Sequence, residues 1–161
     1  MLLFFRFAIV LLQGLFRRRI GPLEASLVRF TALPHDCDLN FHLNGGRYLS
    51  FMDISRVEML ARMRVLRRLI RRGWRPIMGG CTIRFRRSVL PFERFSVESR
   101  ILAWDEKWFY VEQLVRRHDG SVSATGTARM IVKGKHGTIP MPDVLELLGL
   151  AGTASPNEVP V

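Results

Sequence analysis

Met1 to Phe16 reads MLLFFRFAIVLLQGLF, an apolar run broken by Arg6 and Gln13, and Arg17, Arg18 and Arg19 follow at once. A secretory signal would carry its charge ahead of the apolar run and a small-residue cleavage site behind it. As a helix, sixteen residues reach about 24 Å, short of the roughly 30 Å hydrocarbon layer. On a helical wheel Arg6, Gln13 and Arg17 form one narrow polar stripe beside a wide apolar face. The reading is a helix lying in the membrane interface, with residues 1–19 meeting anionic lipid through the arginine triplet. Docking of the apolar face on the domain itself or on a second subunit is the alternative. A short true span would be a third arrangement, with the arginines keeping the domain cytoplasmic. The breadth of the apolar face favours the membrane.

Gly21-Pro22 punctuates the change to the domain proper. Leu27 to Leu33 alternates loosely and predicts a first strand, stopped by Pro34. A polar, turn-rich stretch from His35 to Gly46 follows. From Arg47 to Arg72 the period becomes helical, with Met52, Met59, Met63, Leu66 and Ile70 on one face and Gly73 closing the helix. Strands are predicted over Trp74–Val89, Arg94–Trp104, Lys107–Arg117 and Ser121–Val132, with Asp119-Gly120 as a hairpin turn. Pro142 to Leu148 reads as a short helix ended by Gly149, and Ala151 to Val161 as a disordered tail. One strand, one long helix and about four more antiparallel strands predict an α+β layer: one curved antiparallel sheet wrapped on a long central helix. The predicted division is an apolar helix over 1–20, a domain over 21–150 and a tail over 151–161.

A length of 161 residues suits one hydrophobic core, and 48% hydrophobic residues can fill it. The formal net charge of +11 is carried mostly by arginine. That excess favours anionic partners: nucleic acid, acidic lipid, or a phosphorylated small molecule such as coenzyme A. Cys37 and Cys81 stand in unrelated contexts and read as reduced thiols; neither they nor the four histidines are spaced for a metal. No metal is expected from that spacing.

Asp36 to Tyr48 concentrates polar side chains between a strand and a helix. A carboxylate there, such as Asp38, can act as nucleophile or as general base toward water. The start of the following helix offers unpaired N–H groups suited to the oxyanion of an attacked thioester carbonyl. The same residues also serve as ordinary caps, and by themselves Asp36, Asn40 and Asn44 read more readily as caps than as catalysts.

The spacing D-x-D-x-N-x-H-x-N-x-x-x-Y from Asp36 to Tyr48 resembles the opening signature of the 4-hydroxybenzoyl-CoA thioesterase branch of the hotdog superfamily. The likeness covers Leu27 to about Leu150. The apolar start and Gly79-Gly80-Cys81-Thr82-Ile83-Arg84-Phe85 are similar to bacterial relatives of thioesterase superfamily member 6. The resemblance implies a hotdog fold, hydrolysis of an acyl-CoA or related acyl thioester, and Asp38 as the catalytic carboxylate. It implies that His42 and Asn44 help shape the loop and the helix start and that Tyr48 begins the helix facing the core. His42, Asn44, Gly45 and Tyr48 are the substrate-binding residues expected there. It further implies a homodimer, or a dimer of dimers, with sheets joined edge to edge, and no metal or tightly held cofactor. Phe41 stands where the family usually has glycine, and Gly45 where it usually has a second asparagine.

Arg84, Arg86 and Arg87, with Arg64, Arg67, Arg68, Arg71 and Arg72, make the middle of the chain strongly basic. They are expected to receive the phosphates of coenzyme A or to continue a membrane-facing surface, a solvated basic face being the plain alternative. No recognised nucleic-acid motif is present, and no nucleic acid is expected. The expectation is a cytoplasmic thioesterase, peripheral on the inner face of the membrane. A non-catalytic acyl-binding scaffold is the first alternative and a basic nucleic-acid-binding module the second.

Overall fold

The central helix forms, but it is shorter than the hydrophobic period predicts. In the computed structural model, which describes residues 2–160, α1 spans Leu2–Phe16, α2 Gly45–Arg62 and α3 Leu66–Arg72. Arg64 breaks the predicted Arg47–Arg72 helix by taking φ 62°, and the Val65 amide turns back to the Leu60 carbonyl. Met63 and Val65, which flank the break, are both buried. A straight helix would point residues two apart about 200° from each other, so both could not reach one core. The break also turns Ile70, expected on the core face, into solvent. Gly73 caps α3 at φ 66°, with its amide on the Ile70 carbonyl, as its position predicts.

The strands are β1 (Ser26–Thr31), β2 (Arg75–Phe85), β3 (Arg94–Trp104), β4 (Phe109–Arg117), β5 (Val122–Gly134) and β6 (Gly137–Thr138). All ladders are antiparallel in the order β1-β3-β4-β5-β2, with β6 paired to the end of β5. The β5–β6 hairpin is an addition to the predicted strands. The register shifts between Met78 and Gly80, Ile101 and Ala103, and Val115 and Arg116. Such bulges bend and twist a sheet, which lets this one curl around α2. Gly79 is needed at the first of them: a Cβ there would collide with the Trp108 ring.

Alternate residues of each strand face α2. Val28, Phe30, Phe95, Val97 and Val115 enclose Phe51 and Met52, while Ile101, Val111 and Ala128 receive Met59 and Met63 farther along. The helix α4 (Met141–Leu148) closes the second cluster with Met141, Val144 and Leu147. Beyond it, where the sequence suggests disorder, Ser155 Oγ accepts from the Trp104 amide and Asn157 donates to the Leu102 carbonyl.

The first helix packs on α2. Leu3, Phe7 and Val10 join the core cluster, and Gly14 brings the backbones together, since a Cβ there would lie 3.0 Å from Glu58 Cγ. The polar stripe is divided. Arg6 and Arg17 turn toward the domain, where they donate to the Thr31 and Leu27 carbonyls of β1. These carbonyls lie on the outer edge of the end strand, so α1 also blunts a sheet edge. Gln13 is exposed.

Candidate functional site

The segment between β1 and α2 is organised by a buried carboxylate that the sequence leaves as a cap. Asp36 ends a 3-10 turn over Pro34–Asp36 and is only 1% exposed. Its Oδ2 accepts from Arg6 at 2.6 Å and from the Leu33 amide at 3.0 Å. Arg47 Nε stands 3.7 Å from Oδ1. The Asp36 carbonyl takes the Asn44 amide at 2.9 Å, so both ends of the loop meet at this residue.

Inside that clasp Cys37 and Leu43 form a short antiparallel bridge, and the Leu43 amide donates to the Val89 carbonyl at 2.8 Å. Asp38 sits at the base of the turn that remains. Its amide donates to the His42 carbonyl, and its carbonyl accepts from the Phe41 amide. Its carboxylate Oδ1 takes the Asn40 amide at 2.9 Å and the His42 amide at 3.4 Å. Asp38 and His42 are both exposed. Phe41 adopts φ 57° with its ring 75% exposed, where a glycine would pass without strain. Leu39 beside it is also exposed, so the loop tip presents apolar surface.

Asn44 caps α2, its Oδ1 accepting from the Gly46 amide at 2.9 Å. Its carbonyl takes the amides of Arg47 and Tyr48. Among the described residues this leaves the Gly45 amide as the unengaged donor at the helix start. The expected array of helix-start donors is thus narrowed to one by the cap itself.

Tyr48 is a core residue that ties α2 to the sheet. Its hydroxyl lies 2.7 Å from Ser123 Oγ, which donates onward to the Arg87 carbonyl, so Tyr48 is the donor of the pair. Burial pushes the Tyr48 phenol up from its ordinary value. Its ring meets Phe85 edge-on at 5.1 Å, and Phe85 lies against Gly45.

The three arginines at the end of β2, Arg84 within it and Arg86 and Arg87 just after, do not form one patch. Arg86 and Arg87 are bonded through their amides to the Ser123 carbonyl, close to the start of α2. Arg84 faces the outer side of the sheet, over an open groove of about 590 Å³ with Thr82, Thr125 and Arg129. Strand alternation separates Arg84 from Phe85, whose half-exposed ring lies on the other face of the sheet, against Tyr48. Among the described residues no group of histidines, cysteines and carboxylates is arranged to hold a metal, and Cys37 and Cys81 are free.

Sequence reasoning missed the arginine that anchors this loop from α1. It also missed a polar group buried inside α2. Arg56, 3% exposed, donates to Gln113 and to Asp53; Gln113 donates to the Met52 carbonyl and to Ser99 at 2.8 Å. The signal available was an arginine amid the apolar positions of a core helix.

The thioesterase-like superfamily pattern matches residues 32–147. The chain belongs to that superfamily. The matched stretch runs from the end of β1 through α4 and holds the whole clasped loop. Among relatives of this thioesterase-like chain, the Xenopus laevis protein THEM6 is 39% identical over 137 residues, covering 81% of this chain and 64% of that protein. A probable thioesterase of Saccharomyces cerevisiae is 32% identical over 124 residues, covering 74% of this chain and 53% of that protein. The chain thus spans about half to two thirds of the length of these relatives. The probable thioesterase YbaW of Escherichia coli superposes with a TM-score of 0.72 at 16% identity, over 77% of this chain and 96% of that one. That likeness bears on the fold alone, and it identifies the sheet curled on α2 as the hotdog architecture.

Proposed function

We propose that this thioesterase-like protein hydrolyses an acyl thioester, an acyl-CoA or a related carrier-bound acyl group, to free acid and thiol. One observation carries the reading: Asp38 is held at a fixed point of a clasped loop, directly ahead of a helix whose Gly45 amide is unengaged. In this proposal the Asp38 carboxylate draws a proton from water or attacks the carbonyl carbon itself. On the first route the water oxygen bonds to the carbonyl carbon, the C–S bond breaks, and Asp38 gives its proton to the departing thiolate. On the second, C–S cleavage leaves an acyl–Asp38 anhydride, which water then cleaves to free acid, a water proton going to the thiolate. The Gly45 amide faces the oxyanion, and a single well-aimed donor contributes about 3 kcal/mol or more to such a step. His42 and Asn44 act through the loop and the cap. Tyr48 acts through the core, and Arg86 and Arg87 receive the nucleotide phosphates. Arg84, on the outer face, suits that role only in a larger assembly.

The proposed assembly is a homodimer through β2. This strand ends the sheet order, runs eleven residues and exposes Ile77, Met78 and Phe85. An end strand of that length and character calls for a partner. The proposed place is the cytoplasmic side of a membrane, with the domain peripheral to it.

A second reading, an acyl-binding scaffold without turnover, is favoured by one feature. Asp38 Oδ1 is spent on the amides of Asn40 and His42, as in a purely structural turn. Thiol release from a panel of aliphatic and aromatic acyl-CoAs separates the two. Turnover supports hydrolysis, whereas tight retention of acyl-CoA without thiol release from folded protein supports the scaffold.

A further inference from the structure

We infer that the outer face of α1 is a seat for an anionic lipid bilayer, held to the domain by the arginines on its inner side. The inference deepens the peripheral placement proposed above, and it holds whether or not Asp38 turns over a thioester.

Three observations carry it. The first is the division of the helix. Its inward stripe of Leu3, Phe7, Val10 and Gly14 is fully used against α2 and the core. Its outward side shows Phe4, Phe5, Ile9, Leu12, Leu15 and Phe16 to solvent, with Phe4 at 72% and Phe16 at 86% exposure. Gln13 at the flank is the exposed polar side chain of the helix. A helix packed on its own domain normally turns its polar side to water; this one turns a second apolar side.

The second observation is charge. At the C-terminal end of α1 the chain gathers Arg17, Arg18, Arg19, Arg62 and Arg64. Arg64 donates to the carbonyls of Leu15 and Arg17, and Arg62 donates to the Arg18 carbonyl. The carboxylates paired within this collar are Glu58, with Arg17 and Arg62, and Glu24, with Arg18. Arg62 is buried, and the exposed Arg17, Arg18, Arg19 and Arg64 leave a basic rim beside the apolar strip, the arrangement that meets phosphate headgroups at the edge of an acyl layer.

The third is shape. Fifteen residues make a single convex strip about 22 Å long and roughly 10 Å wide. No described helix is long and apolar enough to cross a membrane. A strip of this shape with a basic rim fits a shallow lipid seat better than a second protein. Because Arg6 also binds Asp36, seating α1 on lipid holds the Asp38 loop near the bilayer surface.

The test is co-sedimentation of the whole chain with vesicles at about 150 mM salt. One set is phosphatidylcholine alone and the other contains phosphatidylglycerol as well. The wild type is expected to pellet with the mixed vesicles. The triple variant Phe5→Glu, Leu12→Glu, Phe16→Glu should bind at least about tenfold more weakly, given the burial each large side chain loses. These positions are exposed, so an unchanged urea midpoint checks that the variant folds. Arg19→Glu should reduce the preference for the anionic vesicles while leaving the urea midpoint in place. Wild type remaining in the supernatant with both vesicle sets would overturn the inference, as would a triple variant that pellets like wild type. So would light scattering showing that the triple variant dissociates a wild-type dimer, because the face would then belong to a second copy.

Discussion

Arg6 in the first helix places its guanidinium 2.6 Å from the carboxylate of Asp36, thirty residues later in the chain. The same guanidinium lies 5.3 Å from the centroid of the Phe51 ring and donates to the Thr31 carbonyl. One side chain therefore joins the N-terminal helix, the end strand, the core helix and the loop that carries Asp38. This coupling makes α1 part of the scaffold of the site.

Arg6→Ala should strip Asp36 of its main counter-charge inside the fold. Removing one partner of a buried pair costs on the order of 3 kcal/mol, because the remaining charge stays desolvated. Urea unfolding should show that loss, and hydrogen exchange should rise across residues 33–44. A variant with wild-type stability would mean that Arg47, the other arginine beside Asp36, suffices.

Gly14→Val tests the docking of α1 directly. The added Cβ would lie 3.0 Å from Glu58 Cγ and 3.3 Å from Ala61 Cβ, so the two helices would have to shift apart to admit the side chain. A cost of about 1–3 kcal/mol is expected, concentrated in faster amide exchange of α1.

Gln113→Leu removes the hub of the buried network. Arg56 would lose an acceptor, and its Nε already has none. The Met52 carbonyl and Ser99 would lose a donor. Stranded buried groups cost about 1–3 kcal/mol each, more when charged, so a drop of several kcal/mol in unfolding free energy is expected.

How much of this was legible in the sequence follows from the range of each interaction. The Asp119-Gly120 turn is local chemistry: Gly120 takes φ 81° and Asp119 accepts the Ser121 amide, as its residue types demand. The helix caps at Gly73 and Gly149 are local in the same way. The Arg64 break was hidden because the apolar period continues through it; only the sheet decides that Met63 and Val65 face one core. Arg6 and Arg17 share a side of a wheel, but their partners Asp36 and Glu58 are thirty and forty-one residues away. No spacing rule reaches across that gap. The loop signature pointed to Asp38, whereas Asp36, which holds the loop together, looked like a cap.

Glu93 should set part of the acid limb of stability. Burial raises its carboxyl, but the Leu90 amide, Arg117 and His118 outweigh that and hold it below its ordinary 4.5. A carboxyl depressed in the folded state adds stability above the unfolded value, and that stability is lost as pH falls through the folded value. Unfolding free energy should therefore fall below about pH 4.5. Glu93→Gln should flatten that slope; an unchanged slope would assign it to other carboxylates.

The central claim is that Asp38 performs thioester hydrolysis, and the kcat of Asp38→Asn on the best acyl-CoA tests it most directly. Asparagine keeps the side-chain oxygen that accepts from Asn40 and His42, so the loop should stand and KM should change little. The account predicts a kcat at least about a hundredfold lower, as expected when a catalytic acid–base group is removed. A variant that retains wild-type kcat with an intact fold would contradict it and make Asp38 a turn residue.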